Sequence, residues 1–158
     1  MNDKKDVLRP TIVMYVFVGL VGMWMGGCQT QEQKVETQEQ KIKTQEQKIE
    51  RLIKQLQDQN EGVRVNAARA LGFIGEGAKA AVPTLMPLLK DQDKWVRFRA
   101  AGALGSIEEG AKDAVPALIL LLQDQDDEGF VRSDAAEALG KIGTPEALKA
   151  VKEYQSRQ

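Results

Sequence analysis

The stretch LKDQDKWVRFRAAGALGSIEEGAKDAVPALILLL, from Leu89 to Leu122, decides the fold because similar stretches lie on both sides of it. LQDQNEGVRVNAARALGFIGEGAKAAVPTLMPLL occupies residues 56–89, and LQDQDDEGFVRSDAAEALGKIG occupies residues 122–143. The third copy carries two extra residues within DDEG. A period of about 33 to 35 residues, with two apolar-periodic segments in each copy, is typical of helix pairs that stack into a solenoid.

Each copy contains one segment with apolar and alanine residues at helical spacing, which predicts one buried helix face. The positions on this face are Val63, Ala67, Ala70, Leu71 and Ile74 in the first copy, and Val96, Ala100, Ala103, Leu104 and Ile107 in the second. The small alanines predict that neighbouring second helices approach closely. Gly75 is expected to end one helix, while Pro83 and Pro116 are expected in the first turn of the next.

The recurring VRxxAAxALGxIG and AVPxLxxLLxD segments, from about Leu52 to Gly143, resemble HEAT repeats of the PBS-lyase-like type. The resemblance implies an all-α fold, a short α-solenoid of about three helix pairs whose second helices line a concave, protein-binding face. TPEALKAVKEYQSRQ at the C-terminus resembles the first helix of a further repeat and, being polar, suits a capping role. The repeat domain is therefore predicted to span residues 52–158.

The segment before the repeats, residues 28–51, has a different period. Val35, Ile42, Ile49 and Leu56 recur every seven residues, which predicts a helix with one narrow apolar stripe. The second apolar position of each heptad is occupied by glutamine or glutamate until the repeats begin, so two interpretations stay open. The helix is either a solvated spacer, about 40 Å long at 1.5 Å per residue, or a coiled coil through which the chain self-associates.

The N-terminus has the layout of a secretory signal, because three basic residues within positions 1–10 precede the uncharged run TIVMYVFVGLVGMWMGG. MGGC resembles the lipobox of bacterial lipoproteins, although Met25 replaces the usual leucine. The resemblance implies cleavage after residue 27 and lipidation of Cys28; the alternative is an uncleaved signal anchor. Both predict a membrane-anchored protein on the extracytoplasmic side of the cell envelope. Gln29 after the cysteine implies the outer membrane, if the organism has one.

Composition excludes several kinds of function. Lys and Arg number 22 against 23 Asp and Glu, so no basic field favours nucleic acid as a partner. The chain has no histidine and one cysteine, which excludes histidine-based catalysis, histidine metal ligands and an intramolecular disulfide. The acidic run that starts at Asp124 resembles a calcium loop, but Ala135 stands where a bidentate glutamate is required. We therefore expect no catalytic residues, no metal site and no cofactor.

Positions that differ between the copies are the candidates for specific protein binding. They are Asn66 and Arg69 in the first copy, Trp95, Phe98 and Arg99 in the second, and Asp134 and Glu137 in the third. Aromatic residues and arginine dominate many protein interfaces; alternatively, the two aromatic residues only fill gaps between helices. Positions that repeat are interpreted as structural: the aspartates 58, 91 and 124 cap helices or pair with arginines 64, 97 and 132 as a ladder between repeats.

The sequence therefore predicts a membrane-anchored, exported HEAT-repeat scaffold that binds a protein partner and performs no catalysis. The resemblance leaves one alternative, a phycobilin-lyase-like enzyme subunit. The predicted export, the small number of repeats and the absence of histidine and cysteine from the repeat module oppose it. A purely structural envelope tether is the other alternative.

Overall fold

The structure is a computed structural model that describes residues 31–124 and 129–157, with side chains from Gln38 onward. The predicted signal segment, Cys28 and most of the DDEG insertion lie outside the described residues. Contacts divide the chain into a unit that ends at Ile42 and a second unit that begins at Lys43. None of the helices in the described ranges is long and apolar enough to cross a membrane.

The described residues form helices and contain no strand, which confirms the predicted all-α fold. We label the α-helices α1 to α7 in chain order. They are α1 Gln31–Gln55, α2 Glu61–Ile74, α3 Val82–Leu88, α4 Lys94–Ser106, α5 Val115–Gln123, α6 Gly129–Ile142 and α7 Pro145–Gln155. Two 3₁₀ segments, Gly75–Ala81 and Glu108–Ala114, connect α2 to α3 and α4 to α5. In the second unit, α3 pairs with α4 and α5 pairs with α6, as the repeat pattern predicts.

The second helices α2, α4 and α6 pack side by side in that order. Glycine makes the close approach possible: a Cβ atom added at Gly105 would lie 2.7 Å from the Cα of Ala138. The equivalent Cβ at Gly72 would lie 3.3 Å from the Cα of Ala103. The small residues of the repeat therefore set the spacing between neighbouring helices.

The buried core follows the predicted helix face most closely in the middle repeat. Val96, Leu104 and Ile107 of the second copy are all fully buried. Their counterparts Val63 and Ile74 in α2 are only partly buried. Helix α2 begins the row of second helices in the described chain, so one side of it has no second helix to cover it.

The heptad stripe of α1 changes character along the helix. Ile42 is 55% exposed, whereas Ile49, Leu52 and Leu56 belong to the buried core of the second unit. The apolar core thus begins three residues before the predicted domain boundary at residue 52, which stays a prediction.

The repeated aspartates support the loops that precede the second helices. Asn60 and Asp93 are the N-caps of α2 and α4, with carboxyl or amide oxygens 3.3 and 2.9 Å from the backbone nitrogen three residues ahead. Asp58 and Asp91 instead accept hydrogen bonds from the backbone N–H of these caps, at 2.9 and 3.0 Å. Neither aspartate is itself the cap, which is the residue two positions later. Of the two roles predicted for the repeated aspartates, capping a helix or pairing with an arginine, Asp91 has the second.

The predicted ladder between repeats is present where Arg64 meets Asp91. The guanidinium donates from Nε and Nη2 to the two carboxylate oxygens, at 2.9 and 2.8 Å. Both side chains are largely buried, and Nη1 donates to the backbone oxygen of Asp58 at 2.8 Å. A bidentate, charge-assisted pair of this kind fixes the first repeat against the second.

A left-handed residue follows each second helix within one or two positions. Gly75 and Gly143 have φ values of 66° and 71° in the first and third repeats. Glu108 occupies the same register in the second repeat with a φ of 54°. Only glycine adopts this conformation without steric cost, so the middle repeat carries local backbone strain.

Candidate functional site

A groove with a volume of about 190 Å³ is lined by residues of the second helices α2, α4 and α6. Five of the seven predicted binding residues line it: Arg69, Phe98, Arg99, Asp134 and Glu137. The lining also includes Phe73, Gly102, Ser106 and Lys141. Side chains from three successive repeats therefore meet at one site, which we call the groove below.

The groove exists because the middle repeat has a glycine where its neighbours have long side chains. Gly102 of α4 is equivalent to Arg69 of α2 and to Glu137 of α6, at spacings of 33 and 35 residues. The missing side chain leaves a depression at the centre of the helix row, with a cation on one side and a carboxylate on the other. Single-residue differences between repeats thus shape this surface.

Asp134 fills part of the space above this glycine. A Cβ atom at Gly102 would lie 3.0 Å from Oδ2 of Asp134. This oxygen is buried and accepts no hydrogen bond from any residue that the structure describes. Burial, and secondarily the charge of Glu137, raise the pKa of Asp134 from its ordinary value of 3.8 to about 6, although the positive charges of Lys141 and Arg99 oppose the rise.

The cations of the groove have neighbours of their own. The guanidinium carbon of Arg99 lies 4.9 Å from the ring centroid of Phe98, within the range of a cation–π contact. Lys141 forms an ion pair of 2.7 Å with Glu137 one helical turn earlier. Because both members of that pair are about half exposed, it contributes little to stability.

Three aromatic rings cluster at the start of α4 and α6. The Trp95 ring centroid lies 6.1 Å from that of Phe98 and 5.1 Å from that of Phe130, and the two phenylalanine centroids are 5.6 Å apart. Phe98 and Phe130 pack against the core, whereas Trp95 is 50% exposed. Phe98 therefore serves both as packing between helices and as a wall of the groove, so the two interpretations of this residue do not exclude each other.

The predicted binding residues and the lining of the groove do not coincide. Trp95, at the start of α4, does not line the groove. Asn66 is exposed on α2 but does not line the groove. Phe73, which the sequence analysis missed, lines the groove and is 84% exposed. The rule of differing repeat positions could have found it, because Phe73, Ser106 and Lys141 occupy equivalent positions.

The family of the chain follows from the same repeats. The family model of HEAT repeats matches residues 49–129 and 108–157. The chain belongs to the HEAT repeat family. The match covers the helix pairs described above, and HEAT repeats typically mediate protein interactions.

Solved structures show the same architecture in engineered proteins. Three crystal structures of engineered proteins from the Northeast Structural Genomics Consortium match with TM-scores of 0.53, 0.52 and 0.51 and sequence identities of 30%, 29% and 32%. Each match covers 68% of this chain, and the match spans 51%, 52% and 30% of the respective engineered chains. The HEAT repeats of this protein thus span about half or less of the solved structures they match. The comparison with curated proteins gives no match.

Proposed function

We propose that this protein is a membrane-anchored scaffold of the cell envelope that binds a protein partner through the second-helix face and performs no catalysis. The groove is the observation that carries the proposal. It gathers charged and aromatic side chains that differ from repeat to repeat, and such side chains are those that provide specificity and affinity at protein interfaces.

Two aromatic residues support this assignment. Phe73 lines the groove and is 84% exposed, and Trp95 is 50% exposed at the start of α4, the middle helix of the row. Exposing large rings to water is unfavourable, and burying each of them against a partner removes apolar area from solvent at about 25 cal/mol per Å². The positions of these two exposed rings on the second-helix face favour a protein as the partner that binds there.

The anchoring half of the proposal rests on the sequence. Lipidation at Cys28, or retention of the apolar segment, would hold the chain on the extracytoplasmic side of a membrane. Helix α1 would then act as a spacer between the lipid and the repeats. The partner in this proposal is a protein of the same compartment; nucleic acid and a bound cofactor play no part.

A comparison of matched surface variants tests the binding site. Arg69→Glu reverses a charge in the groove, while Lys112→Glu makes the same change at an exposed position of the second 3₁₀ segment. We expect affinity purification from solubilised membranes to lose its specific partner with Arg69→Glu and to retain it with Lys112→Glu. Equal recovery of the partner with both variants would show that the groove is not the binding site.

Self-association through α1 is a second candidate function, favoured by one observation. Ile42 lies on the heptad stripe and is 55% exposed, so a second copy of the helix could bury it. Sedimentation of the full chain in detergent should then show a dimer or trimer that Ile42→Asn dissociates. A monomer at micromolar concentration would leave α1 as a spacer only.

A further inference from the structure

We propose that the groove receives an aspartate or glutamate side chain of the partner protein, and that Arg69 and Arg99 hold its carboxylate from two neighbouring repeats. This inference deepens the proposed function and rests on it. It starts from the charges that line the groove and from the contacts in which each of them is already engaged.

The lining of the groove carries one more positive charge than negative charge. Three cations, Arg69, Arg99 and Lys141, stand against the carboxylates of Asp134 and Glu137. Lys141 and Glu137 form an ion pair of 2.7 Å, so these two charges compensate each other. One oxygen of Asp134 is buried, whereas both arginines are at least partly exposed. A partner that approaches the groove therefore meets positive charge, and this charge lies on the two arginines.

Arg69 supplies a guanidinium that the fold leaves available. The side chain is exposed on α2 and makes no hydrogen bond or ion pair with any residue that the structure describes. Arg64 of the same helix, by contrast, donates to both carboxylate oxygens of Asp91. The fork of donors on a guanidinium matches the two oxygens of a carboxylate. An acidic side chain of the partner can therefore pair with Arg69 as Asp91 pairs with Arg64.

Arg99 places a second guanidinium beside an open space. It lies 4.9 Å from the ring centroid of Phe98 and donates no hydrogen bond within the described residues. A guanidinium can contact a ring and donate from its edge to a carboxylate at the same time. Gly102, one turn further along α4, has no side chain and leaves the depression that Arg69 and Arg99 both line.

The size and the charge of the groove suit a single acidic side chain. Its volume of about 190 Å³ is below the roughly 300 to 1,000 Å³ of typical small-molecule sites, so a side chain fits better than a cofactor. The two carboxylates of the lining repel a multiply charged anion such as phosphate. Phe73, which is 84% exposed at the groove, offers an apolar contact to a neighbouring residue of the partner. The expected occupant is therefore an acidic residue next to an apolar one.

Asp134 gives the inference a pH dependence of definite sign. Burial raises the pKa of Asp134 to about 6, and the charged groups facing it are Glu137 and Lys141 on α6 and Arg99 on α4. Between pH 7.5 and pH 5.5 most of the Asp134 carboxylate becomes protonated, while a partner carboxylate with an ordinary pKa of about 4 stays ionised. Loss of this like charge from the groove should strengthen binding about threefold.

A peptide library displayed on phage and selected on the full chain in detergent provides the probe. We expect the selected peptides to share an aspartate or glutamate beside an apolar residue. A synthetic peptide from the selection is compared with its Asp→Asn or Glu→Gln version by calorimetry on the wild type, and the original peptide is measured on Arg69→Glu. Each change should weaken binding at least about tenfold. Lys112→Glu, the control at an exposed position outside the groove, should leave binding unchanged.

Two further measurements identify the residues in contact. A peptide with lysine in place of its acidic residue should bind Arg69→Glu more tightly than it binds the wild type. Asp134→Asn should bind the original peptide about threefold more tightly at pH 7.5 and should lose the dependence on pH. Thermal unfolding of each variant excludes misfolding as the cause of lost binding.

The outcomes separate the two proposals. If no selected peptide is sensitive to Gly102→Leu, which fills the groove, the groove is not a peptide-binding site, and this contradicts the proposed function and the inference with it. If peptides bind the groove without a shared acidic residue, or bind more weakly at pH 5.5 than at pH 7.5, this inference alone is wrong. Equal weakening by Arg69→Glu and Lys112→Glu would likewise overturn the inference alone.

Discussion

Replacing Asp134 by asparagine should stabilise the protein at neutral pH. The raised pKa means that the folded state holds the proton of Asp134 more tightly than the unfolded state does. A rise from 3.8 to about 6 corresponds to an upper limit of about 3 kcal/mol at about 1.4 kcal/mol per pKa unit. The side chain is only partly buried and is screened by solvent in the groove, so we expect about 1 kcal/mol at pH 7.5.

The sign and the pH range of this effect are both fixed by the direction of the pKa change. Below pH 4 the carboxyl group is protonated in the folded state and increasingly so in the unfolded state, so wild type and variant should be similarly stable. As the pH rises from about 4 to 6, the unfolded state releases its proton first, and the wild type loses stability that the variant keeps. Above pH 6.5 the difference should stay constant.

Urea unfolding of the full chain in detergent, followed by circular dichroism between pH 4 and 7.5, measures this difference. Asp113→Asn is the matched control, because it removes an exposed carboxylate away from the groove. A variant at Asp134 that is less stable than wild type at pH 7.5, or equally stable at every pH, would refute the reasoning. It would show that a donor outside the described contacts already satisfies the buried oxygen.

Three further predictions concern the repeat stack and the anchor. Gly105→Ala should destabilise the protein by about 1 to 3 kcal/mol in urea unfolding, because its Cβ would lie 2.7 Å from the Cα of Ala138. Gly140→Ala is the control, since it changes the same repeat position and its Cβ would have no atom within 4 Å. This variant should be neutral or stabilise the protein by up to about 1 kcal/mol. Glu108→Gly should stabilise by about 1 kcal/mol in the same assay, since it relieves a left-handed glutamate, and a loss of stability would contradict the assigned strain. Cys28→Ala should leave a precursor of unchanged size that incorporates no labelled palmitate, and labelling equal to wild type would exclude lipidation at this cysteine.

Repetition made most of the fold predictable from the sequence. Three copies in register specify which face of each second helix is buried, and Val96, Leu104 and Ile107 are buried as expected. The 3₁₀ segments between the helices were not predicted. Each contains a buried alanine with non-helical backbone angles, Ala78 and Ala111, and an alanine carries no sequence signal for such a break. The sequence left capping and arginine pairing open for Asp91, because Asp91 and Asp93 are chemically equivalent candidates for the cap and only the start of the helix distinguishes them.

The sequence predicted most of the charged and aromatic residues of the groove, but not how they are arranged. Comparing equivalent positions identified Arg69, Phe98 and Asp134, which lie together in the groove. A comparison of residue types does not show that the missing side chain of Gly102 leaves a depression between Arg69 and Glu137. The buried oxygen of Asp134 could not be foreseen, because aspartate at an apparently exposed helix position is normally solvated.

Site-specific photocrosslinking in the native cell tests the binding face most directly. A photoreactive amino acid replaces Phe73, which is 84% exposed at the groove, or Leu120, which is 57% exposed on α5 and does not line the groove. We expect a discrete adduct with one envelope protein from position 73, which Gly102→Leu should abolish by filling the groove, and no such adduct from position 120. An adduct from position 120 alone, or adducts from both positions that persist with the groove filled, would contradict it.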